Sequence, residues 1–520
     1  MSQKKLAKNI SIMSVAIFLS RILGLVRDQV MAYFFGTGIL NDAFNVGYNI
    51  PNLLRRLFGE GALSTAFVPI YNEIGIKKGK EGQIDFALNL LSILTLFLAV
   101  LTLIGIALAP LIVRLLYPGL NPATMLIATR LTRIIFPYLF FIGMSSTFIA
   151  VLNSHDYFFM TGLSSALLNI GMVSTIVIPY KVFGVVGEPL IIWAGWGVLV
   201  GGALQTAINL PYLRKVGYRW RLYLSFTSEA ITQLWRRFIP SMIGIGIREI
   251  NLIADSLMAS FLPIGSITAL GFGNRLMQLP LGIFAISAGT AVLPMYSRHV
   301  ANREFGELSQ SMRFTALSLA YIMLPITTLI IALGNDFVSI LFQSGAFDAK
   351  ASLMTNQALV FYSLGLIFYS LNQTVTPLFY ANKDTRTPMN IAAAMVALNI
   401  AMNFVLMQFI QHRGLALSTS VTAMVNYIVL VTMIKRKLPE INFRGLLPNL
   451  LKTVMICAAI FVGIVYAKQL VPVEGRLALL IRAGILSSMS FLLFYLLGLI
   501  LHLDYLAAAG RSICTRLRRK

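Results

Sequence analysis

Residues 86–110 read FALNLLSILTLFLAVLTLIGIALAP, a run without one Asp, Glu, Lys, Arg or His. A helix rises about 1.5 Å per residue, so such a run crosses the ~30 Å hydrocarbon core of a bilayer with every backbone hydrogen bond closed internally. Outward from this stretch the pattern repeats along the whole chain. Apolar segments fall at 10–36, 42–74, 85–110, 124–153, 160–181, 188–213, 230–260, 266–298, 308–333, 351–380, 388–409, 414–434, 449–470 and 478–502. Several exceed the ~20 residues a bilayer requires and are expected to tilt or protrude. Hydrophobic residues make up 57% of the chain and charged residues 12%, where soluble domains average about 45–50% and about 25%. The expected fold is therefore an all-α polytopic membrane protein with about fourteen transmembrane helices.

The formal charge of +23 raises the question of a nucleic-acid partner, and its placement argues against one. Basic residues cluster in alternate connections. Lys4, Lys5 and Lys8 are followed by Lys77, Lys78 and Lys80, then Arg214, Lys215, Arg219 and Arg221. The series continues with Arg298 and Arg303, Lys383 and Arg386, Lys435 to Lys437 with Arg444, and the tail from Arg511 to Lys520. The intervening connections are sparsely charged, as at 36–41 and 261–266. This alternation is the positive-inside pattern and places both termini in the cytoplasm. The first span follows basic residues as a signal peptide would. Arg21, Arg27 and Asp28 interrupt it, and no small-residue cleavage site follows, so it is read as a retained helix. Two cysteines, Cys457 and Cys514, build neither a disulfide framework nor a CxxC metal pair.

The chain repeats itself. Asp28, Met31, Ala32, Phe34 and Gly38 match Asp255, Met258, Ala259, Phe261 and Gly265 at one offset of 227. Ala66, Pro69 and Tyr71 match Ala291, Pro294 and Tyr296 at 225. The unit is six helices, an even number, so the copies share one orientation. That implies two six-helix bundles related by a pseudo-two-fold axis along the membrane normal, an architecture used for alternating access. The expected division is 1–221 and 222–440 for the bundles, 441–502 for two extra helices outside the repeat, and 503–520 for a basic cytoplasmic tail. Gly195, Gly197, Gly201 and Gly202 in the sixth span are read as close-packing positions.

Charges inside spans are costly, at least about 2.5–3.5 kcal/mol each at mid-bilayer. The first span carries Arg21, Arg27 and Asp28. The second carries Asp42, Asn45, Asn49, Asn52 and Arg56 at helical spacing, with Arg55 beside the stripe and Glu60 beyond it. The seventh carries Arg248, Glu249 and Asp255, and the eighth Asn274, Arg275 and Gln278. Salt-bridged packing is the alternative reading, and Arg56 and Arg248 stand open between it and the cavity. Arginine nevertheless exceeds nearby acid, and an excess in a water-filled cavity calls for an external anion. Arginine grips phosphate through paired hydrogen bonds. From the residues alone, Arg27, Arg55 and Arg275 are expected to face the substrate, with Asn52 and Arg56 on the same polar stripe.

SRILGLVRD at 20–28, NDAF at 41–44, PNLLRRLFGEGA at 51–62 and FVP at 67–69 resemble the opening of the MurJ (MviN) family. NRLMQLP at 274–280, TAVLP at 290–294 and KDTRTP at 383–388 resemble its eighth helix and the loop before its eleventh. The resemblance covers essentially the whole chain. It implies a lipid II flippase of the wider superfamily that includes MATE exporters, with Arg21, Arg27, Asp28, Asp42, Arg55 and Arg275 at positions the family uses in its central cavity. The implied substrate is undecaprenyl-pyrophosphate-linked muropeptide, with the cell-wall synthesis machinery as further partner. Some relatives carry acids where this chain has Asn274 and Gln278. The resemblance also suggests that the extra helices at 441–502 form a groove for the lipid tail.

No GxxxxGK[ST] loop, metal spacing or catalytic triad is present, and no enzyme is expected. No cofactor is expected either; a sodium or proton gradient, or the membrane potential, is the expected drive. Asp255, Asn399, Asn403 and Thr419 form a candidate cation site, oxygen donors suited to a hard ion; the alternative is an interhelical hydrogen-bond cluster. The alternative functions are another lipid-linked oligosaccharide flippase, which would lack the PNLLRR block, and a MATE-like drug or cation antiporter, whose cavity would favour acids over arginines.

Overall fold

A computed structural model describes residues 3–58, 62–219, 221–473 and 475–506; Glu60 and the tail from 507 lie outside them, as do the side chains of Arg248 and of residues 3–17. Among the described residues every regular element is a helix. In chain order they are α1 Gln3–Phe35, α2 Ile39–Phe58, α3 Ala62–Leu116, α4 Pro122–Ile135, α5 Tyr138–Ser154, α6 Phe158–Phe183, α7 Glu188–Ala207, α8 Leu210–Val216 and α9 Glu229–Ala259. Then follow α10 Ser266–Pro280, α11 Ile286–Ala301, α12 Phe305–Phe342, α13 Ala349–Ser363, α14 Leu366–Ala381, α15 Arg386–Ile410, α16 His412–Lys437, α17 Leu446–Leu470 and α18 Arg476–Ile500. Eleven helical stretches of the described residues are long and apolar enough to cross a membrane, which makes the chain a multi-pass membrane protein. The expected spans at 10–36, 42–74 and 230–260 are not among them; their described residues are largely helical, they carry most of the charges noted inside spans, and each includes side chains outside those described.

Several expected spans are broken helices. Gly79, at φ +66°, divides α3 in the connection between the expected spans 42–74 and 85–110, whereas other breaks fall inside spans. Pro137 separates α4 from α5, because proline lacks the N–H a continuing helix needs. A π-helical turn at Leu281–Ala285, directly after Pro280, joins α10 to α11. The α4–α5 pair is bounded by Pro122 and Ser154 and the α13–α14 pair by Ala349 and Ala381, so both bounds lie 227 residues apart.

The chain forms two compact units, Met1–Ile267 with Gly345–Phe347, and Thr268–Ser344 with Asp348–Lys520. In the first, the four glycines of α7 behave as close-packing positions. A Cβ on Gly197 would lie 2.9 Å from the Met172 backbone, and one on Gly201 2.8 Å from that of Leu168, both on α6. Gly195 faces Leu131 on α4, and Gly202 faces Tyr138 on α5. The aromatic core stacks Phe67 between Tyr71 and Phe86. Helix α9 packs on α2 and α3 within this unit. In the second unit, α12 is the hub, with α13, α14, α17 and α18 against it, and α15 pairs with α16. Its core centres on Tyr296, Leu308, Met312, Phe379 and Ile434. Outward faces are apolar, as with Leu96, Leu103, Leu111 and Leu115 on α3, the surface a hydrocarbon solvent requires.

Candidate functional site

The first unit holds most of the expected anion-facing residues. Helix α1 lies along α6, where Asn169 Nδ2 donates to the Ser20 carbonyl at 3.3 Å. Arg21, one residue on, is exposed. Arg27 grips its neighbour Asp28 through Nε at 3.1 Å and Nη2 at 2.8 Å, and both side chains are largely buried. On α2, Arg55 Nε donates to Asn52 Oδ1 at 2.8 Å. Through this bond a buried neutral amide orients the guanidinium at its Nε. Arg56 turns elsewhere, to Glu249 of α9 at 3.4 Å. The polar stripe of α2 is thus split between two uses. Asn49 and Arg56 line a cavity of about 120 Å³ with Tyr117, Glu249 and Ser256, while Asn52 supports Arg55.

Asp42 has a different setting. Its Oδ2 accepts the Gly265 N–H at 2.6 Å, which ties α2 to the connection between α9 and α10. Three glycines with positive φ meet around this point: Gly36 (+54°), Gly265 (+92°) and Gly345 (+58°). A Cβ on Gly36 would stand 2.2 Å from the Ala346 carbonyl oxygen, one on Gly265 2.4 Å from that of Thr37, and one on Gly345 2.3 Å from that of Tyr33. The Ala346 N–H donates to the Tyr33 carbonyl at 2.8 Å, and Asn41 Nδ2 to the Gly36 carbonyl at 2.7 Å. Only glycine combines that backbone conformation with so close an approach. Asp42 pins a three-way junction of loops.

In the second unit, Arg275 lies over the Phe272 ring at 5.8 Å, and Gln278 donates to Asn274 one turn away on α10. Asn399 and Asn403 are fully buried, with Asn403 Nδ2 donating to Asn399 Oδ1 at 3.0 Å. The hydroxyl that closes the cluster is Ser418, which donates to Asn403 Oδ1. Thr419 instead bonds the Leu415 carbonyl of its own helix at 2.8 Å. Asp255 belongs to the first unit, where Asn251 donates to it at 3.3 Å. The amide and hydroxyl oxygens have the right chemistry for a hard cation, which would have to replace their mutual hydrogen bonds.

Two features here escaped sequence reading. Asp336 on α12 is buried and holds both Lys468 of α17, at 3.3 Å, and Arg482 of α18, at 2.8 Å. A lone acid inside an apolar run was the available signal. Beside it, α10, α12, α13 and α18 line an open apolar cavity of about 460 Å³, with Leu276, Pro280, Ile330, Phe337, Leu359 and Leu480 on its walls. Of the two extra helices, α18 supplies a wall and α17 supplies none.

Comparison with known proteins agrees with this architecture. The family described as "Lipid II flippase MurJ" matches residues 31–484. A probable lipid II flippase MurJ of Bdellovibrio bacteriovorus is 32% identical over 511 residues, 95% of each chain. The lipid II flippase MurJ of Burkholderia cenocepacia is 31% identical, covering 81% of this chain and 82% of its own length. Among solved structures, a lipid II flippase MurJ in an inward closed conformation superposes with a TM-score of 0.77 at 26% identity, over 93% of this chain and 97% of that one. An inward-facing MATE multidrug transporter of the MOP superfamily reaches 0.69 at 13% identity, over 84% of this chain and 99% of that one, and shares the fold alone. With its family signature running through nearly every helix from α1 to α18, the chain belongs to the lipid II flippase MurJ family.

Proposed function

We propose that this chain is a lipid II flippase, a transporter rather than an enzyme, carrying undecaprenyl-pyrophosphate-linked muropeptide from the inner to the outer leaflet of the bacterial cytoplasmic membrane. Family membership over residues 31–484 is the observation that carries this reading. The physical requirement fits it. An unescorted diphosphate meets a prohibitive desolvation penalty in hydrocarbon, and arginines offset it with charge-assisted hydrogen bonds. The test is depletion of the protein in its host, which should trap lipid II in the inner leaflet. Continued display of lipid II outside, in a strain without a second flippase, would overturn the reading.

Finer assignments follow from the same reading. Fourteen spans fall in sequence into two six-helix repeats, 1–221 and 222–440, related by a pseudo-two-fold axis, the first helix of the second repeat, α9, packing on α2 and α3 of the first, with helices 441–502 added and both termini cytoplasmic. The equal 227-residue spacing of the two broken helix pairs supports duplication, and the alternation of basic connections supports the orientation. Arg21, Arg27, Asp28, Asn52, Arg55, Arg56 and Arg275 serve the diphosphate and sugar head group. Asp42 serves as the pin of the glycine junction, which seals the outer end. The apolar cavity beside α18 takes a stretch of the prenyl tail. Asn399 and Asn403, with Thr419 beside them, are the candidate cation ligands of the second unit, and Asp255 is a candidate of the first; a sodium or proton gradient, or the membrane potential, drives transport, and the cell-wall synthesis machinery takes the product.

A further inference from the structure

The Arg56–Glu249 pair is unequal in its access. Glu249 retains 2% of its side-chain exposure and Arg56 28%. The carboxylate is sealed between helices while the guanidinium is reachable. Arg56 Nη1 approaches Glu249 Oε2 at 3.4 Å, longer than the charge-assisted hydrogen bonds of a tight arginine–carboxylate pair. Beside the pair lies the 120 Å³ cavity, room for several waters. Its polar wall is Tyr117, whose hydroxyl hydrogen-bonds to Asn49 of α2 and Ser256 of α9. Arg56 therefore has space to swing, and the pocket stays polar behind it. Arg55, its neighbour, is already aimed by Asn52, so the two arginines are prepared differently.

We propose that Glu249 is a built-in stand-in anion. It occupies Arg56 when no substrate is bound, holds α2 to α9 in that state, and is displaced when the diphosphate of the substrate takes the guanidinium. The inference rests on the flippase reading and adds a residue to it: Glu249 sets affinity and release by competing for one arginine. Two anions sharing one cation bind in mutual exclusion, and the coupling is reciprocal.

The test measures lipid II binding to purified full-length protein in nanodiscs, with turnover measured in parallel. Glu249→Gln keeps shape and hydrogen bonding but removes the competing charge. It should bind lipid II about tenfold tighter, the scale of one charge-assisted hydrogen bond, and turn over more slowly because release is impaired. In an Arg56→Ala background the same change should leave affinity unaltered. The double exchange Arg56→Glu with Glu249→Arg should restore thermal stability relative to each single variant but not lipid II affinity, because the cation then sits in the sealed position. Equal affinity of the wild type and Glu249→Gln would overturn the stand-in anion while leaving the flippase reading intact, and so would a loss of stability alone. Failure of the wild type to bind lipid II would overturn both.

Discussion

Gly36→Ala is the sharpest perturbation of the glycine junction. Gly36 sits at φ +54°, a conformation that costs a residue with a Cβ about 1–2 kcal/mol. The new methyl would lie 2.2 Å from the Ala346 carbonyl oxygen and 2.9 Å from its carbon. Both are backbone atoms, so the 345–347 loop must withdraw. Withdrawal breaks the 2.8 Å bond from the Ala346 N–H to the Tyr33 carbonyl, worth about 1 kcal/mol net. The sum is about 3 kcal/mol, roughly a hundredfold shift away from the packed junction. The assay places Thr37→Cys in a background lacking Cys457 and Cys514 and follows labelling by a membrane-impermeant maleimide in intact cells. With Gly36→Ala the labelling rate should rise more than tenfold and flipping should fall. Gly38→Ala is the control, since its Cβ would make an ordinary 3.6 Å contact with the Phe35 carbonyl. Unchanged labelling at normal expression, or an equal effect from Gly38→Ala, would refute the sealing role.

Arg27→Ala should lower flipping about 30- to 100-fold, the value of one or two lost charge-assisted hydrogen bonds to the diphosphate; a lipid II flipping assay at matched expression checks it. Asp336→Ala leaves Lys468 and Arg482 facing each other in a largely buried site, and should cost about 3 kcal/mol, the lower end for a broken buried pair because Lys468 is 27% exposed; detergent thermal unfolding reads it. Asn403→Leu should abolish sodium-dependent stimulation of flipping, measured with sodium replaced by potassium. The Asp384 carboxyl, in the connection before α15, is held down to about 2 by the Lys437 ammonium and the Thr387 N–H. Its folded pKa lies below the usual ~3.9, so its tether to α16 is fully present above that value and is lost as pH falls through about 2. At pH 7 Asp384→Asn should lower the detergent unfolding temperature, and the wild type should lose the same increment only as pH falls toward 2.

The helices were legible because a bilayer demands length and apolarity, which 86–110 displays without interruption. Breaks within spans were less so. Pro137 and Pro280 mark them in the sequence, yet a proline in α12, Pro325, leaves that helix continuous, so the residue alone does not decide. The charged positions were legible because charge in hydrocarbon is costly wherever it stands. Their partners were not. Asp336 meets Lys468 and Arg482 across more than 130 residues of chain, and local spacing carries no trace of that. Thr419 and Ser418 are adjacent in sequence, and only the rotation of α16 brings Ser418 to the asparagines. Asp42 read as a cavity acid because its type fits one, while the backbone N–H it accepts lies 223 residues away.

Reconstitution tests the central claim most directly. Purified protein in liposomes seeded with lipid II on one leaflet should move it to the other, read by an impermeant probe of the head group, and the Arg27→Ala and Arg55→Ala proteins should not. No transfer by correctly folded wild-type protein under an imposed sodium gradient and membrane potential, or equal transfer by the arginine variants, would contradict the account.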